Sequence, residues 1–258
     1  MTFAGKDQLV RTALAEDYGH GDATSRAVID HTAQMQAIFA ARQPGVLAGL
    51  ETALMAFSIM DSTIEIERHS HDGACLEAGT NIATVRGPAR SILAAERTAL
   101  NLLTHLSGIA SLAAQYSAAI AHTKAKIVDT RKTLPGLRHL QKEAVTAGGG
   151  VNHRTGLDDG ILIKDNHIAM AGGIETALTR AVNNAGYLLK IQIEVDTLAQ
   201  LEQVLNHGGA DAVLLDNMDI ATLKQAVDMI DKRLRVEASG GITLDNVSEI
   251  AGTGVDYI

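Results

Sequence analysis

The sequence contains one cysteine, Cys75, no tryptophan and only 3% aromatic residues. A single cysteine excludes a disulfide framework and a cysteine-based zinc site, and it is typical of proteins of the reducing cytosol. The shortage of aromatic rings leaves little surface on which single-stranded bases could stack. These absences favour a cytoplasmic protein and disfavour single-stranded nucleic acid as a partner.

Positive charge is also scarce, because 22 Lys and Arg residues face 30 Asp and Glu residues, for a formal net charge of −8. This balance argues against a surface that wraps a polyanion, so we expect no nucleic-acid partner. Apolar material is abundant, since 46% of the residues are hydrophobic and 20% are charged. That composition excludes disordered and fibrous classes. The 258 residues suit one large barrel-like domain, or a smaller domain with an accessory one.

No segment has the pattern of a membrane or export signal. The N-terminus reaches Lys6 and Asp7 without an apolar stretch, so we expect no signal peptide. Residues 98–123 carry no charge and are long enough to span a bilayer. Polar residues interrupt this run, among them Asn101, Thr104, His105, Ser107, Ser111, Gln115 and Ser117. The rest is largely alanine, which predicts a buried helix at a domain junction or subunit interface and no membrane partner.

Short elements of both kinds alternate through the first hundred residues. The hydrophobic spacing predicts helices at 7–16 and 52–60, and strands at 33–41, 45–48, 62–69 and 81–87. We therefore expect an antiparallel sheet covered by helices, an α+β sandwich domain over residues 1–105.

Beyond this region, strands and helices alternate regularly. Strands are predicted at 126–129, 160–164, 190–195, 212–216, 236–239 and 256–258, with helices such as 197–206 and 220–232 between them. Repeated strand–helix units predict a parallel sheet, which right-handed crossovers close into a barrel or a doubly wound sheet. The predicted fold class is thus α/β, with a barrel-like catalytic domain over residues 106–258.

Polar residues follow these strands at their carboxyl ends, where barrel enzymes place their chemistry. They are 129–132, Lys164, Glu194, Asp216 and 239–241. Residues 126–167 also hold seven Lys or Arg against five acids in an otherwise acidic chain. Because Arg binds carboxylates bidentately and Lys offers a point charge to phosphates, this segment predicts a small anionic ligand. The alternative is a solvated charged surface.

Lys164 admits three interpretations. It ends an apolar strand, so it could be a desolvated nucleophile of a Schiff-base aldolase. It could instead remain charged and bind an anion, or lie along the strand end with its ammonium in water. Glu194 and Asp216 suit Mg²⁺, sugar hydroxyls or an oxocarbenium-like transition state. A strand-to-helix turn at 239–243 predicts a phosphate site, with an ordinary turn as the alternative.

Longer motifs connect these residues. The run VDTRKTLPGLR at 128–138 is followed by GGG at 148–150, NHR at 152–154, GLDD at 156–159 and LIKDNH at 162–167. Other matches are GDAT at 21–24, ERTALN at 96–101, LDNM at 215–218 and EASGG at 237–241. Together they resemble the quinolinate phosphoribosyltransferase family, also called carboxylating nicotinate-nucleotide pyrophosphorylases. The resemblance covers essentially the whole chain.

The resemblance implies a reaction and an architecture. Quinolinate and 5-phosphoribosyl-1-pyrophosphate would give nicotinate mononucleotide, pyrophosphate and CO₂ in NAD biosynthesis, with Mg²⁺ as cofactor. The fold would be an N-terminal sandwich followed by an incomplete α/β barrel. Two chains would pair head to tail as a homodimer, or form a higher oligomer.

The resemblance also assigns roles to individual residues. Arg131, His153, Arg154 and Lys164 would hold the quinolinate carboxylates. Lys132 and Thr130 would contact substrate, and Glu194 and Asp216 would bind the ribose and the metal, directly or indirectly. Ser239, Gly240 and Gly241 would take the 5-phosphate, while Arg97 would reach quinolinate in the neighbouring subunit. The catalytic set would be Lys132, Lys164, Glu194 and Asp216.

One departure from the family pattern lies at the C-terminus. Family members continue past the strand at 256–258 with a glycine-containing phosphate loop and a helix, so we expect the barrel domain to be truncated and its activity reduced. Three alternatives stay open: a related enzyme acting on another pyridine, a Lys164 aldolase, and an anion-binding module without catalysis.

Overall fold

The computed structural model describes residues 3–258, and their side chains from residue 5 onward. The chain divides into two compact units. The first unit comprises the chain up to Ala114 together with Thr133–Gly149, and the second comprises Gln115–Lys132 and Gly150–Ile258. Each unit has its own cluster of buried apolar side chains.

The first unit is an α+β layer. Its helices are α1 (Phe3–Tyr18), α2 (Ala23–Val28), α3 (Leu50–Met60), α4 (Ala89–Ala119) and α5 (Arg138–Ala147), and its strands are β1 (Gln34–Ala40), β2 (Gly45–Val46), β3 (Glu65–Arg68), β4 (Cys75–Leu76) and β5 (Asn81–Pro88). In the antiparallel sheet β5 lies between β1 and β3, and β2 pairs separately with β4. The two helices and four strands predicted within the first hundred residues are confirmed, with shifted ends.

Helix α4 accounts for most of the charge-free run, and it continues past Ala114 into the second unit. Its buried residues recur three or four positions apart, as the single core-facing stripe of a helix requires. Two serines one turn apart form hydrogen bonds with the backbone of the β2 region. The Ser111 hydroxyl accepts from the Val46 amide at 2.8 Å, and the Ser107 hydroxyl accepts from the Ala48 amide at 3.1 Å. Over the described residues, we find no helix with the length and apolarity that crossing a membrane requires.

The second unit is built on a parallel sheet. Its strands are β6 (Ile161–Ile163), β7 (Ile191–Val195), β8 (Ala212–Asp216) and β9 (Arg235–Ser239), and its helices are α6 (Asp165–Ala171), α7 (Ile174–Asn184), α8 (Leu198–His207), α9 (Ile220–Ile230) and α10 (Val247–Ala251). Single parallel bridges extend the sheet beyond β9, from Glu237 to Tyr257, from Tyr257 to Lys126, and from Val128 to Val151. The predicted incomplete α/β barrel is confirmed.

The strand register separates the two faces of this sheet. Ile193, Val213 and Val236 are paired across three strands and buried among the helices. The alternate residues Glu194, Leu214 and Glu237 form the next row, so they share the opposite face, which is the interior of the barrel. The segments 126–129 and 256–258 were expected as strands, but they meet their neighbours only through single bridges.

The two compact units are not divided at a single position of the chain, for two reasons. Helix α4 is continuous, and its residues as far as Ala110 belong to the first core. Helix α5 follows segments of the second unit, yet Leu140 and Ala144 on its apolar side lie in the first core. The chain therefore passes between the units more than once.

Candidate active site

The carboxyl ends of β6 and β7 place a lysine beside a glutamate. Ile163 pairs with Ile193, so the next residues along the two parallel strands, Lys164 and Glu194, are neighbours. Lys164 Nζ lies 2.8 Å from Glu194 Oε2. The Lys164 amide donates to His167 Nδ1 at 2.9 Å, which fixes the backbone where α6 begins.

The surroundings of Lys164 favour one of its three interpretations. A nucleophilic lysine is activated by an apolar pocket or by a neighbouring cation. Here the side chain is 46% exposed, and its partner Glu194, itself 12% exposed, is an anion. This geometry favours a charged lysine that binds an anion over a Schiff-base nucleophile.

Asp216 and Ser239 form the row above Glu194 on the same face. They are paired in the β8–β9 register, and Asn217 follows with a left-handed φ of 52°. Asn217 connects the two strand ends, because its side-chain amide donates to Asp216 Oδ2 at 2.7 Å and its backbone amide to the Ser239 carbonyl at 2.9 Å. A carboxylate, a hydroxyl and a glycine turn thus meet at the barrel mouth.

The glycine turn differs from the expectation in one respect. Gly240 and Gly241 both have positive φ, 97° and 64°. The turn was predicted to lead directly into a helix, but α10 begins only at Val247. The intervening loop is held by Asn246, whose side chain donates to the Gly241 carbonyl at 2.9 Å and accepts the Thr243 amide at 2.8 Å. The turn therefore presents its own backbone at the strand end, and no helix N-terminus follows it directly.

His153 lies on the interior face of the sheet. Its Nε2 is 2.8 Å from Gln192 Oε1 and 3.5 Å from Glu237 Oε2, and Gln192 Nε2 donates to the same Glu237 oxygen at 2.8 Å. The hydrogen bond and charge of Glu237 raise the pKa of the His153 imidazole, although burial and the charge of Arg154 oppose this. The ring therefore keeps its positive charge to a higher pH than an ordinary histidine.

Two guanidinium groups lie close together beside this histidine. Burial lowers the pKa of Arg154, and the like charge of Arg131 lowers it further. Arg154 Nη1 donates to the Gly160 carbonyl at 2.9 Å, and Asp159 holds the loop between them by accepting two backbone amides. Adjacent cations that repel one another are the arrangement an anion with two carboxylates would stabilise.

The remaining predicted residues are Thr130 and Lys132, which lie in a turn, and Arg97 on α4. Thr130 Oγ1 accepts the Lys132 amide at 3.0 Å in the turn after Val128, and Asp129 Oδ1 accepts the His153 amide at 2.9 Å, which ties that turn to the histidine segment. Arg97 is an exposed residue of α4 in the first unit. Its role in a neighbouring subunit stays a prediction.

The donor set can be compared with the preferences of Mg²⁺. Among residues 5–258, no three His, Cys, Asp or Glu side chains are grouped so as to hold a metal. Mg²⁺ in phosphate chemistry is usually bound by one or two carboxylates together with substrate phosphates. Glu194 and Asp216 fit that pattern, so these residues suit an ion that arrives with the pyrophosphate of a substrate.

Two site residues were missed by sequence reasoning. Gln192 and Glu237 are polar residues inside strands, and attention to strand ends alone passes over them. The signal was present, because each stands two positions before a predicted site residue, Glu194 and Ser239. The period of two in a strand places both on the same interior face.

Comparison with known families matches both parts of the chain. The family model of the quinolinate phosphoribosyl transferase C-terminal domain matches residues 109–258, and that of the N-terminal domain matches residues 22–107. The nicotinate-nucleotide pyrophosphorylase (carboxylating) of Mycobacterium leprae is 44% identical over 258 residues, covering 96% of this chain and 89% of the relative. The probable enzyme of the same name from Bacillus subtilis is 41% identical, with 97% and 86% covered.

Solved structures give the same result for the fold. The nicotinate-nucleotide pyrophosphorylase of Francisella tularensis superposes with a TM-score of 0.95 at 38% identity, covering all of this chain and 91% of that one. The likeness therefore extends over both compact units.

Proposed function

This chain belongs to the quinolinate phosphoribosyl transferase family, and on that premise we propose that it transfers the phosphoribosyl group of 5-phosphoribosyl-1-pyrophosphate to quinolinate. The products would be nicotinate mononucleotide, pyrophosphate and CO₂, a step of NAD biosynthesis. The observation that supports this most directly is the joining of two substrate chemistries on one face. At the barrel mouth Lys164 pairs with Glu194, and Asp216 lies in the next row of the same face. His153, close to the charged Arg154 and Arg131, lies on that interior face at Gln192.

The cationic group suits quinolinate, which carries two adjacent carboxylates. Arg131 and Arg154 provide forked donors for bidentate contacts, while His153 and Lys164 add two further positive charges. Lys164 is already paired with Glu194, so a substrate carboxylate would share its ammonium. A monocarboxylate would leave part of this set without an anion.

The two carboxylates at the barrel mouth, Glu194 and Asp216, suit the phosphoribosyl substrate. Glu194 and Asp216 can accept hydrogen bonds from ribose hydroxyls and stabilise the positive charge that develops on the sugar. The backbone amides of Ser239, Gly240 and Gly241 would hold the 5-phosphate, and Thr130 and Lys132 would contact the same substrate. Mg²⁺ bound with the pyrophosphate would neutralise charge on the leaving group.

The reaction then follows from substrate placement. The bond from the anomeric carbon to pyrophosphate breaks, and the pyridine nitrogen donates its pair to that carbon and becomes cationic. The carboxylate beside the nitrogen leaves as CO₂, and its bonding electrons stay on the ring carbon, stabilised by the adjacent positive nitrogen. That carbon finally takes up a proton. The loss of CO₂ needs no protein base.

We propose a homodimer, or a higher oligomer, in which Arg97 completes the neighbouring site, and the cytoplasm as the location. The exposed position of Arg97 on α4 supports the first, because an exposed arginine is available to a second chain. The single cysteine supports the second.

Isotope release tests the proposal. With quinolinate labelled in the 2-carboxyl group, labelled CO₂ and pyrophosphate should appear in equal amounts, and only when 5-phosphoribosyl-1-pyrophosphate is present. Borohydride trapping of a carbonyl substrate on Lys164 would instead support the aldolase. Tight quinolinate binding without release of either product would support the binding module.

A further inference from the structure

Three polar side chains inside the barrel are joined by hydrogen bonds. Gln192 on β7 donates through Nε2 to Glu237 on β9, and its Oε1 lies 2.8 Å from His153 Nε2. The Gln192 oxygen and the Glu237 carboxylate, which both lie near His153 Nε2, are acceptors. The ring nitrogen between them must therefore carry a hydrogen.

This arrangement fixes how the ring can meet an anion. With a hydrogen on Nε2, a neutral imidazole presents Nδ1 as an acceptor, which repels a carboxylate. Only the imidazolium donates through both nitrogens. His153 can thus serve a dicarboxylate only while it is cationic, so whatever holds that charge takes part in recognition.

The charges around the ring compete. Arg154 on the same segment and partial burial favour the neutral form, whereas Glu237 favours the cation and prevails. Asp129, in the turn after Val128, accepts the His153 backbone amide at 2.9 Å. Gln192 is neutral and shares its amide between His153 and Glu237. Glu237 is thus the group on which the charge of the ring depends most.

A purely structural role does not explain these side chains. Barrel interiors are normally filled by branched apolar residues, and a buried polar set stabilises less than apolar packing of the same volume. Here the three residues face open volume, because they line a cavity of about 1310 Å³ together with Ile161, Ala212 and Val236 near the starts of the strands.

We propose that Glu237 and Gln192 are positioning residues of the substrate site, Glu237 keeping His153 cationic and Gln192 fixing the orientation of its ring. The identity of the anion, quinolinate, rests on the proposed function, but the network itself does not. The two residues act through His153 and need not touch substrate.

Two substitutions separate the two roles. Glu237→Gln keeps the size of the side chain and one acceptor oxygen but removes its charge. Gln192→Met keeps the size but removes the amide between His153 and Glu237. Glu202→Gln on α8, an exposed glutamate of the same unit, is the matched control for loss of one negative charge.

The first measurement is an NMR titration of the His153 ring in the full chain without substrate, with the signal assigned by its loss in His153→Gln. The midpoint should fall in Glu237→Gln and stay in place in Glu202→Gln. An unchanged midpoint in Glu237→Gln overturns the inference, whether or not the chain uses quinolinate.

The second measurement is KM for quinolinate against pH. In Glu237→Gln, KM should approach that of the parent as the pH is lowered far enough to protonate both rings. Near neutrality, the KM of Glu237→Gln should exceed that of the parent about tenfold, the effect of losing one charged hydrogen bond. In Gln192→Met, KM should rise at every pH, with kcat changed less. Equal pH profiles for Glu237→Gln and the parent would overturn the inference. A shifted NMR midpoint in a protein that never releases pyrophosphate would overturn the proposed function alone.

Discussion

Gly240 shows how closely the barrel mouth is built around single residues. A Cβ placed on it would lie 2.1 Å from Asn217 Oδ1 and 2.9 Å from the Asn217 backbone nitrogen, and its φ of 97° disfavours any side chain. The backbone nitrogen cannot move without shifting the bond between Asn217 and Ser239. Glycine is therefore required here for two separate reasons.

We expect Gly240→Ala to weaken binding of 5-phosphoribosyl-1-pyrophosphate by at least about tenfold, because Asn217 and the strand ends it joins must move. Gly79→Ala is the matched control, since it has a similar φ of 89° and open space around it. Calorimetric titration measures both. Equal affinities in the two variants would show that the turn does not hold the phosphate.

Among the helices and strands, α4 shows how packing against another element, strand β2, shapes a sequence feature, its lack of charge. Its serines occur where the short strand β2 needs acceptors, and the Ser111 hydroxyl also donates to the Ser107 carbonyl at 2.7 Å. A charged residue could not occupy this buried face. The absence of charge on this face thus reflects packing against the β2 region.

Ser111→Ala should lower the free energy of unfolding by about 1–3 kcal/mol, because the buried Val46 amide would lose its acceptor. Ser117→Ala is the control on the same helix, since the Ser117 hydroxyl is buried without a hydrogen-bond partner among the described residues. That change should be neutral or stabilising. Urea unfolding compares them, and equal midpoints would mean that the Ser111 bond contributes nothing.

Some elements were predictable from sequence because one signal dominates in each. Strand β8 begins and ends as predicted, at 212 and 216, since an apolar run ends there in a charged residue. Helix α5 was missed, because its charges suggested a ligand segment and hid the apolar spacing of Leu140 and Ala144. The single bridges at 126–128 and 257 depend on barrel curvature, which no local pattern records.

The candidate site was likewise predictable only in part. Strand ends bring Lys164 and Glu194 together, and this follows from parallel topology alone. The contacts of His153 with Gln192 and Glu237 were not predictable, because they join three segments distant in sequence. Such contacts depend on register, which is fixed only when the sheet forms.

In the whole molecule, the proposed active site needs residues of more than one chain to be complete. The cations of the second unit form one part of the proposed site, and the exposed Arg97 of the first unit is the residue proposed to act on a neighbouring chain. A head-to-tail pair would give each site residues from two subunits.

Mixing two inactive variants tests this arrangement. Arg97→Ala and Lys164→Ala chains should each be nearly inactive, whereas hybrid dimers should contain one intact site. With random exchange, about a quarter of the parent activity should return. Confirmed subunit exchange with no recovery would exclude a site shared between chains.

If the cation group recognises a dicarboxylate, the chain should distinguish quinolinate from nicotinate. Pyrophosphate release should be measured with quinolinate and with nicotinate at the same concentration of 5-phosphoribosyl-1-pyrophosphate. Nicotinate leaves one carboxylate position empty, and an arginine without its anion costs about 1–3 kcal/mol or more. Quinolinate should be used and nicotinate hardly at all, whereas comparable pyrophosphate release with both would show that the cation group does not recognise a dicarboxylate.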